Sequence, residues 1–345
     1  MMEIEGRKRE HIDTVLIKDV SAKGVTAGFE RYFFEHVALP EIDLDAVDMS
    51  CSVFGKKLSA PLLISSMTGG TLIARDINRR LAAVAQSLGI AMGVGSQRAA
   101  IEDPTSADTF NVRPVAPDIL LFANLGAVQL NYGYTSDHAQ RAIEMIDANA
   151  LFLHLNPLQE AVQAGGDRNW SGLLAKIGHL VKAIDVPVVV KEVGNGISAV
   201  TARRLVDLGV AGIDVAGAGG TSWSEVEAFR QKDPAARRVA HSFAGWGIPT
   251  AMALSDVSVE IPDVPVFASG GIRSGIDAAK AIRLGASLVG MAAPALGSAA
   301  AATDEAGTLA AAIEELRIAM FCTGSQDLGA LKSAVLRHVS DGRAV

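Results

Sequence analysis

Short apolar segments alternate with longer segments of helical periodicity along the chain, from residue 62 to residue 321. The apolar segments are rich in β-branched residues, as expected of strands that are covered on both faces. A turn rich in glycine or polar residues follows each of them and leads towards a helical segment. The predicted strands are Leu62–Ser66, Ile90–Val94, Asp118–Ala123, Leu151–Leu155, Val186–Val190, Ala211–Val215, Val264–Ala268 and Ser287–Met291.

Helical segments separate these strands, and several end at a glycine, which readily adopts the left-handed conformation found after helix C-termini. Strands that alternate with helices in this way predict the α/β class and a (β/α)8 TIM barrel. A doubly wound sheet is the alternative, and the lack of a G-x-G-x-x-G sequence after the first strand counts against it. The predicted helices are Arg75–Ser87, Ser136–Ala148, Trp170–Ile184, Thr201–Leu208, the segment from a cap at Ser274 to Gly285, and Gly307–Phe321.

The part of the chain before the barrel has a different pattern. Residues 1–14 are highly charged, and their composition alone predicts a solvated tail. Val47–Phe54, a turn at 55–57 and Leu58–Ile64 predict a β-hairpin that leads into the first barrel strand. We therefore expect a single barrel domain over 1–345, with an N-terminal extension at 1–59, the barrel at 60–322 and a C-terminal tail at 323–345.

Composition and charge narrow the functional classes. The 345 residues are 49% hydrophobic but only 5% aromatic, so the core must consist mainly of aliphatic side chains. The net charge of −7 argues against non-specific binding to nucleic acid or to a membrane surface. Two cysteines without a spacing motif exclude a disulfide scaffold and a cysteine-based zinc site, and they fit a cytoplasmic protein. We expect neither a signal peptide nor a transmembrane helix.

Polar residues and glycines collect at the carboxyl ends of the predicted strands, which meet at one mouth in a barrel and carry its chemistry. Two long connections, 156–170 and 217–263, lie on the same side. Ser269-Gly270-Gly271 follows the seventh strand and precedes a capped helix. This arrangement is typical of a phosphate cradle, although a plain strand–helix turn remains the alternative.

Lys191 ends a buried strand, where an unpaired ammonium group would be unfavourable. It is expected either to form an internal salt bridge or to face an anionic cofactor or substrate. Glu192 should point to the opposite side, as a structural partner in the strand–helix layer. Further along the mouth, His154 and Asn156 share one face of the fourth strand. Glu160 follows them, and it is either a solvated loop residue or a single carboxylate ligand for Mg²⁺.

The chain resembles the type 2, FMN-dependent isopentenyl-diphosphate isomerases in motifs spread over nearly its whole length. The H-L-N-x-x-Q-E and S-Q-R motifs are specific, whereas S-G-G-I-R also occurs in other FMN barrels. The motifs are Arg7-Lys8-x-Glu10-His11-Ile12, Met67-Thr68-Gly69-Gly70, Gly95-Ser96-Gln97-Arg98, His154-Leu155-Asn156-x-x-Gln159-Glu160, Lys191-Glu192-Val193-Gly194, Gly219-Gly220-Thr221-Ser222-Trp223, Trp246-Gly247-Ile248-Pro249-Thr250 and Ser269-Gly270-Gly271-Ile272-Arg273.

The resemblance implies roles for individual residues. His154, Gln159 and Lys191 would be catalytic, Lys191 would also face the pyrimidine edge of the flavin, and Glu160 would hold Mg²⁺. The remaining cofactor-binding residues would be Ser66, Met67, Thr68, Ser96 and Asn124 around the flavin, and Thr221, Gly270, Gly271, Ile272, Ala292 and Ala293 at its phosphate. The substrate-binding residues would be Arg7, Lys8, Ser96, Gln97, Arg98, His154, Asn156 and Gln159.

The resemblance also implies isomerisation of isopentenyl diphosphate to dimethylallyl diphosphate, with reduced FMN, Mg²⁺, and NADPH or NADH as the reductant. The expected partners are a small diphosphate substrate and further copies of the chain, in a tetramer or larger homo-oligomer, with no nucleic acid and no membrane. An FMN barrel oxidoreductase of the 2-hydroxy-acid oxidase type is the alternative. That chemistry needs a histidine base beside a substrate-binding arginine, and the region after Arg273 offers no histidine. A phosphate-binding barrel without catalysis is a third hypothesis.

Overall fold

Eight parallel strands close into a barrel in the computed structural model, which describes residues 10–11, 13–292, 295 and 305–340. Each strand pairs with the next along the chain, and the eighth pairs with the first, with Val289 opposite Leu62. The predicted (β/α)8 barrel is confirmed, with strand bounds that shift by up to three residues. The strands are Leu62–Ile64, Ala91–Gly93, Leu121–Gly126, Ala150–His154, Val188–Lys191, Gly212–Asp214, Val266–Ala268 and Leu288–Met291.

Helices surround the barrel, and aliphatic side chains fill the layer between helices and strands. Side-chain caps set where several helices begin. Thr71 accepts a hydrogen bond from the Ala74 amide. The predicted cap at Ser274 is confirmed, since Ser274 accepts a hydrogen bond from the Asp277 amide. The helices are Leu72–Leu88, Arg98–Glu102, Ser136–Met145, Pro157–Val162, Leu173–Ala183, Ala199–Val206, Trp223–Arg230, Pro234–His241, Thr250–Glu260, Gly275–Arg283, Glu305–Cys322 and Leu328–Ser333.

The predicted hairpin covers the amino-terminal end of the barrel. Its strands are Cys51–Val53 and Lys56–Leu58, so its second strand is separate from the first barrel strand. The predicted turn at 55–57 is wrong, because Phe54 and Gly55 form the turn with φ of 48° and 77°, and Lys56 already belongs to the second strand. This turn lets the Phe54 ring reach the barrel interior, 6.4 Å from the ring centre of Phe122.

A strand of the N-terminal extension pairs with a strand of the C-terminal segment. Tyr32–Phe34 pairs antiparallel with Leu336–His338, and the short helix Leu328–Ser333 precedes that second strand. Part of the segment that the sequence assigned to a tail is therefore ordered against the N-terminal extension. In the part of the chain that is described, no helix combines the length and hydrophobicity needed to cross a membrane.

The two long connections, which begin at the mouth of the barrel, contain helices. Pro157–Val162 lies in the first, and Trp223–Arg230, Pro234–His241 and Thr250–Glu260 lie in the second. The N-terminal extension also reaches this side. The Ala22 amide donates to the Gly220 carbonyl at 2.9 Å, and the Ser222 amide donates to the Val20 carbonyl at 2.8 Å. The mouth therefore has a wall built from segments distant in sequence.

Candidate active site

A cavity of about 450 Å³ occupies the barrel mouth, where the carboxyl ends of the strands meet. It brings together most of the residues that the sequence predicted for the site. Arg7, Lys8 and Ala293 lie outside the described residues. The predicted residues that line the cavity are Ser66, Met67, Thr68, Ser96, Arg98, Asn124, His154, Asn156, Gln159, Glu160, Lys191, Thr221, Gly270, Gly271, Ile272 and Ala292.

Gln97 is the exception among the described residues, because its side chain does not line the cavity as a contact with substrate would require. Its side chain is fully buried, and its amide nitrogen donates to the Ala142 carbonyl at 2.8 Å. Its amide oxygen accepts from the backbone N–H of Asn124 at 2.9 Å. Gln97 is the residue immediately before the helix Arg98–Glu102. Its side chain therefore fixes the second strand end to the third, while the next side chain, that of Arg98, faces the cavity.

Lys191 lies between the two environments that the sequence left open, an internal salt bridge and an anionic ligand. It lines the cavity, and its Nζ donates to the Glu192 carbonyl at 2.6 Å and lies 3.9 Å from Asp214 Oδ2. Asp214 is fully buried, and this burial raises the pKa of its carboxyl group. Its other oxygen accepts from the Ser269 hydroxyl at 2.7 Å. The lysine thus has a loose internal partner and still faces the space where a ligand would bind.

Glu192 points away from the cavity, as expected from the alternation of side chains along a strand. One of its carboxylate oxygens accepts three backbone N–H groups, from Val193, Gly194 and Asn195, at 2.6–2.8 Å. Burial nevertheless raises the pKa of Glu192 to about 7. The side chain therefore fixes the loop that follows Lys191.

His154 is held in one orientation by Asn124. Its Nδ1 lies 2.8 Å from Asn124 Oδ1, while the amide nitrogen of Asn124 donates to the Val94 carbonyl at 3.1 Å. Because the amide oxygen can only accept, His154 Nδ1 carries the proton in this pair. In the neutral imidazole the Nε2 atom is then a proton acceptor.

Glu160 is buried, and three donors orient its carboxylate. Asn156 Nδ2 lies 3.0 Å from Oε1, Gln163 Nε2 lies 3.2 Å from Oε2, and the Asp167 backbone N–H donates to Oε2 at 2.7 Å. Ligating carboxylates in metalloproteins are typically oriented by such hydrogen bonds. Nowhere in the described ranges do three or more His, Cys, Asp or Glu side chains form a metal-binding cluster. The single oriented carboxylate of Glu160 fits Mg²⁺, which needs only one or two carboxylates when phosphate and water supply its other ligands.

The predicted phosphate cradle lies at the loop rather than at the first turn of the following helix. Two N–H groups in the first turn of that helix are already paired. The Gly275 N–H donates to the Glu315 carboxylate at 2.6 Å, and the Asp277 N–H donates to the Ser274 hydroxyl at 3.1 Å. The N–H groups of Gly270, Gly271 and Ile272 donate to none of the described residues. These three N–H groups are available to a phosphate.

Close packing between two backbone segments shapes the same loop. A Cβ atom on Gly270 would collide with the backbone of Gly217, so only glycine fits there. Gly270 also has a φ of 100°, which favours glycine independently. The seventh strand end is therefore packed directly against the loop that follows the sixth strand.

A group of site residues that the sequence did not predict as a group meets around Glu227, and it includes His11 from the helical residues near the start of the chain (10–11 and 13–17). His11 lines the cavity, and its Nε2 lies 3.0 Å from Glu227 Oε1. Gln159 Nε2 donates to the same oxygen at 3.1 Å, and Arg230 donates to Oε2 at 2.6 Å. Burial alone would raise the pKa of Glu227, but the hydrogen bond and charge of His11, the charge of Arg230 and the hydrogen bond from Gln159 together lower it. A buried carboxylate therefore adjoins Gln159 at the mouth.

Several buried polar atoms at this end have no hydrogen-bond partner among the described residues. They are Ser65 Oγ, Ser66 Oγ, Asn156 Oδ1 and Asp214 Oδ2. Buried polar atoms are normally paired, and pairing with a bound molecule is one explanation. A flavin with a phosphate tail fits the cavity, because ring heteroatoms would meet the hydroxyl groups and Lys191 while its phosphate would meet the Gly270–Ile272 loop.

Comparisons with known proteins agree with this assignment. The family model of FMN-dependent dehydrogenases matches residues 3–115 and 140–338. A Synechocystis sp. protein named isopentenyl-diphosphate delta-isomerase is 61% identical over 338 residues, which make up 98% of this chain and 97% of that protein. A protein of the same name from Cronobacter sakazakii is 54% identical and covers 98% of both chains.

Solved structures share the fold at low sequence identity. A flavocytochrome b2 variant with sulfite bound has a TM-score of 0.71 at 20% identity, over 97% of this chain and 84% of that chain. A mandelate oxidase variant with a monooxide FMN adduct has a TM-score of 0.65 at 20% identity, over 97% of this chain and 99% of that chain. These likenesses support the barrel architecture and carry no information on the reaction.

Proposed function

The chain belongs to the isopentenyl-diphosphate delta-isomerase family, within the FMN-dependent dehydrogenases, and we propose that it interconverts isopentenyl diphosphate and dimethylallyl diphosphate with reduced FMN and Mg²⁺. The observation that carries the proposal is that the mouth holds two separate groups suited to anions: the N–H groups of one loop, which have no partner among the described residues, and an arginine near a buried carboxylate that could hold Mg²⁺. The Gly270–Ile272 loop follows the seventh strand, whereas Arg98 and Glu160 follow the second and fourth. The third strand lies opposite the seventh in the barrel, so the two regions face each other across the mouth.

One region suits the cofactor. The N–H groups of the Gly270–Ile272 loop, with Thr221 and Ala292 beside them, would hold the FMN phosphate. Ser66, Met67, Thr68, Ser96 and Asn124 would line the ring, and Lys191 would place its positive charge at the ring edge. When bound, reduced FMN would supply an acid–base group that faces the substrate alkene. Ala293, outside the described residues, is proposed for the phosphate by its position in the sequence alone.

The other region suits the substrate diphosphate. Arg98 would bind its oxygens as a planar two-pronged donor, and Glu160 would hold Mg²⁺ against them. Arg7 and Lys8 are proposed to join this group, since they precede the segment in which His11 reaches the cavity. Asn156 would orient Glu160 through the 3.0 Å contact of its amide. The cation and the carboxylate thereby fix one end of a small substrate.

The reaction itself moves protons and changes no oxidation state. One proton is added at C4 of isopentenyl diphosphate and another is removed from C2, so the double bond shifts by one position. His154, with its proton on Nδ1, would present Nε2 as an acceptor. Gln159, held against Glu227 at 3.1 Å, would orient the alkene end of the substrate. The edge-to-face pair of His11 and Trp223 would shield that end from water.

The remaining expectations extend this proposal. NADPH or NADH would reduce the flavin before turnover, and the enzyme would work in the cytoplasm as a homo-oligomer of four or more chains. Neither nucleic acid nor a membrane is proposed as a partner, given the net charge of −7.

A spectrum and an assay of the purified protein test the proposal. We expect an oxidised flavin spectrum that anaerobic NADPH bleaches, and conversion of isopentenyl diphosphate to dimethylallyl diphosphate only when FMN, reductant and Mg²⁺ are all present. A protein that neither binds FMN nor isomerises the substrate would contradict the proposal. Bleaching of the oxidised flavin by lactate or glycolate would instead favour the 2-hydroxy-acid oxidase alternative.

A further inference from the structure

We propose that Asp167 is a positioning residue that couples the diphosphate-binding guanidinium of Arg98 to the metal-binding carboxylate of Glu160. The inference rests on the proposed function, because it concerns how two groups of that site are held relative to each other. Asp167 lies in the loop after the helix Pro157–Val162, outside every motif discussed above.

The side chain of Asp167 is anchored on the cation side. Its Oδ2 accepts from Arg98 Nη1 at 2.8 Å and from Gln129 Nε2 at 2.9 Å. Both donors line the cavity, and the Asp167 side chain is only 16% exposed. A charge-assisted hydrogen bond in this partly desolvated position restricts the orientation of the guanidinium.

The backbone of Asp167 is anchored on the carboxylate side. Its N–H donates to Glu160 Oε2 at 2.7 Å, the shortest of the three contacts recorded above for that carboxylate. The residue before it must be small, because a Cβ atom on Gly166 would collide with the Glu160 carbonyl oxygen. Three residues further along the chain, Trp170 donates from its Nε1 to the Asp167 carbonyl at 3.0 Å. One residue therefore contacts both groups, through its side chain and its backbone respectively.

Glu102 offers a matched comparison on the same guanidinium. Its Oε1 accepts from Arg98 Nε at 2.7 Å, within one turn of the helix Arg98–Glu102. Its side chain is 37% exposed, and its contacts with Arg98 and with the Tyr134 hydroxyl do not involve Glu160. Removing the Glu102 charge therefore changes the ion pairing of Arg98 without loosening the Glu160 carboxylate.

The coupling predicts a specific pattern of binding defects. If Asp167 is replaced by alanine, the loop loses its anchor on Arg98 and Gln129, and the N–H that orients Glu160 becomes less well placed. Outer-sphere partners of metal ligands typically contribute about 10–100-fold to metal affinity or activity. We therefore expect Mg²⁺ to lose most of its ability to strengthen substrate binding, whereas FMN affinity should not change.

Isothermal titration of the FMN-loaded, reduced protein with isopentenyl diphosphate, with and without Mg²⁺, tests this pattern. We expect Asp167→Ala to weaken binding in the presence of Mg²⁺ by about 10-fold or more. Asp167→Asn, which keeps an acceptor oxygen but no charge, should weaken it by about threefold to tenfold. Glu102→Gln should weaken it by less than about threefold, as for an exposed ion pair, and should leave the effect of Mg²⁺ intact.

The outcomes separate this inference from the proposed function. If the unmodified protein does not bind isopentenyl diphosphate with Mg²⁺, the proposed function is overturned and the inference with it. If the unmodified protein binds it, and either Asp167→Asn or Asp167→Ala retains the full effect of Mg²⁺, the inference alone is overturned. A loss of FMN affinity equal to the loss of substrate affinity would show that Asp167 only maintains the fold of the mouth.

Discussion

The two ends of the barrel interior use the same strands for opposite purposes. The floor, formed by the hairpin and the apolar side chains Leu63, Phe122, Phe152, Val189 and Phe267, is fully packed. There the rings of Phe122 and Phe152 stack with centres 4.2 Å apart. The mouth instead contains buried carboxylates, a buried lysine and hydroxyl groups that lack partners among the described residues. Stability and function are therefore separated along the barrel axis.

The change from floor to mouth takes only two residues on a strand. Phe122 and Asn124 share the inward face of the third strand, and Phe152 and His154 share that of the fourth. Two residues span about 6.6 Å along a strand, so an apolar layer and a reactive layer lie directly above each other. The packed floor thus lies directly beneath the side chains of the mouth.

The largest expected effect concerns the floor. Phe122 is fully buried and contacts the rings of Phe54, Phe152 and Phe267. We expect Phe122→Ala to lower the free energy of unfolding by about 3–5 kcal/mol, since it removes a large side chain and leaves a cavity. The measurement is denaturant unfolding of the apoprotein.

Phe33 provides the control for that change. It is 44% exposed, and Phe33→Ala should alter the free energy of unfolding by no more than about 0.5 kcal/mol. Equal losses for the two variants would mean that the floor contributes no more to stability than the surface does, and the contrast between floor and mouth would fail.

The next effect concerns activity rather than stability. Glu160→Gln replaces the proposed Mg²⁺ ligand with a neutral amide, and we expect turnover to fall by about 100-fold, at the upper end of losses seen at metal sites. FMN affinity and the unfolding midpoint should stay close to those of the unmodified protein. Glu144→Gln, an exposed position on the outer helix Ser136–Met145, is the control and should retain full turnover. A parallel loss of FMN in Glu160→Gln would refute the metal assignment.

The floor and the strands were predictable from sequence because each depends on local patterns. Short β-branched runs located every barrel strand, and the Ser274 cap located a helix start. The hairpin turn lies at 54–55 rather than at 55–57, because Phe54 adopts a positive φ that the sequence does not favour. The packing of its ring inside the barrel stabilises this conformation, and such a tertiary contact has no local signal.

The mouth was predictable only in part, for the same physical reason. His11 and Glu227 are separated by 216 positions and meet only after folding, so no spacing motif joins them. Gln97 and Arg98 are adjacent in one motif, yet only Arg98 faces the cavity. Asp214 could have been found, because it ends a barrel strand as Lys191 does. It is the one charged residue of the predicted strand Ala211–Val215, and a charge in an otherwise apolar strand was the signal for it.

A smaller effect concerns the pH dependence of the free energy of unfolding. Burial raises the pKa of Glu192 from an ordinary 4.5 to about 7, so the folded state binds this proton more tightly than the unfolded state does. The resulting stabilisation is fully present below about pH 4.5 and is lost as the pH rises through about 7. We expect the free energy of unfolding to fall by roughly 1–3 kcal/mol over this range.

Glu192→Gln tests that origin, because the amide cannot titrate. Denaturant unfolding at pH 5 and pH 8 should show a smaller decrease in the variant than in the unmodified protein. Some decrease should persist, since burial raises the pKa of Asp214 in the same direction. Glu144→Gln should keep the full decrease. An unchanged pH dependence in Glu192→Gln would show that Glu192 is ionised in the folded protein throughout this range.

The smallest expected effect concerns two buried hydroxyl groups, neither of which has a hydrogen-bond partner among the described residues. Ser66 Oγ at the mouth and Ser258 Oγ, on the outer helix Thr250–Glu260, both lack a partner among the described residues. Removing an unpaired buried hydroxyl should not destabilise the apoprotein. The free energy of unfolding of both alanine variants should therefore be within about 0.5 kcal/mol of that of the unmodified protein, or slightly higher. Only Ser66→Ala should weaken FMN binding, by about fivefold to tenfold, because a single hydrogen bond contributes about 1 kcal/mol. Titration of the apoproteins with FMN, followed by flavin fluorescence, distinguishes the two variants. Equal FMN affinities for both would mean that the unpaired hydroxyl at the mouth serves no ligand.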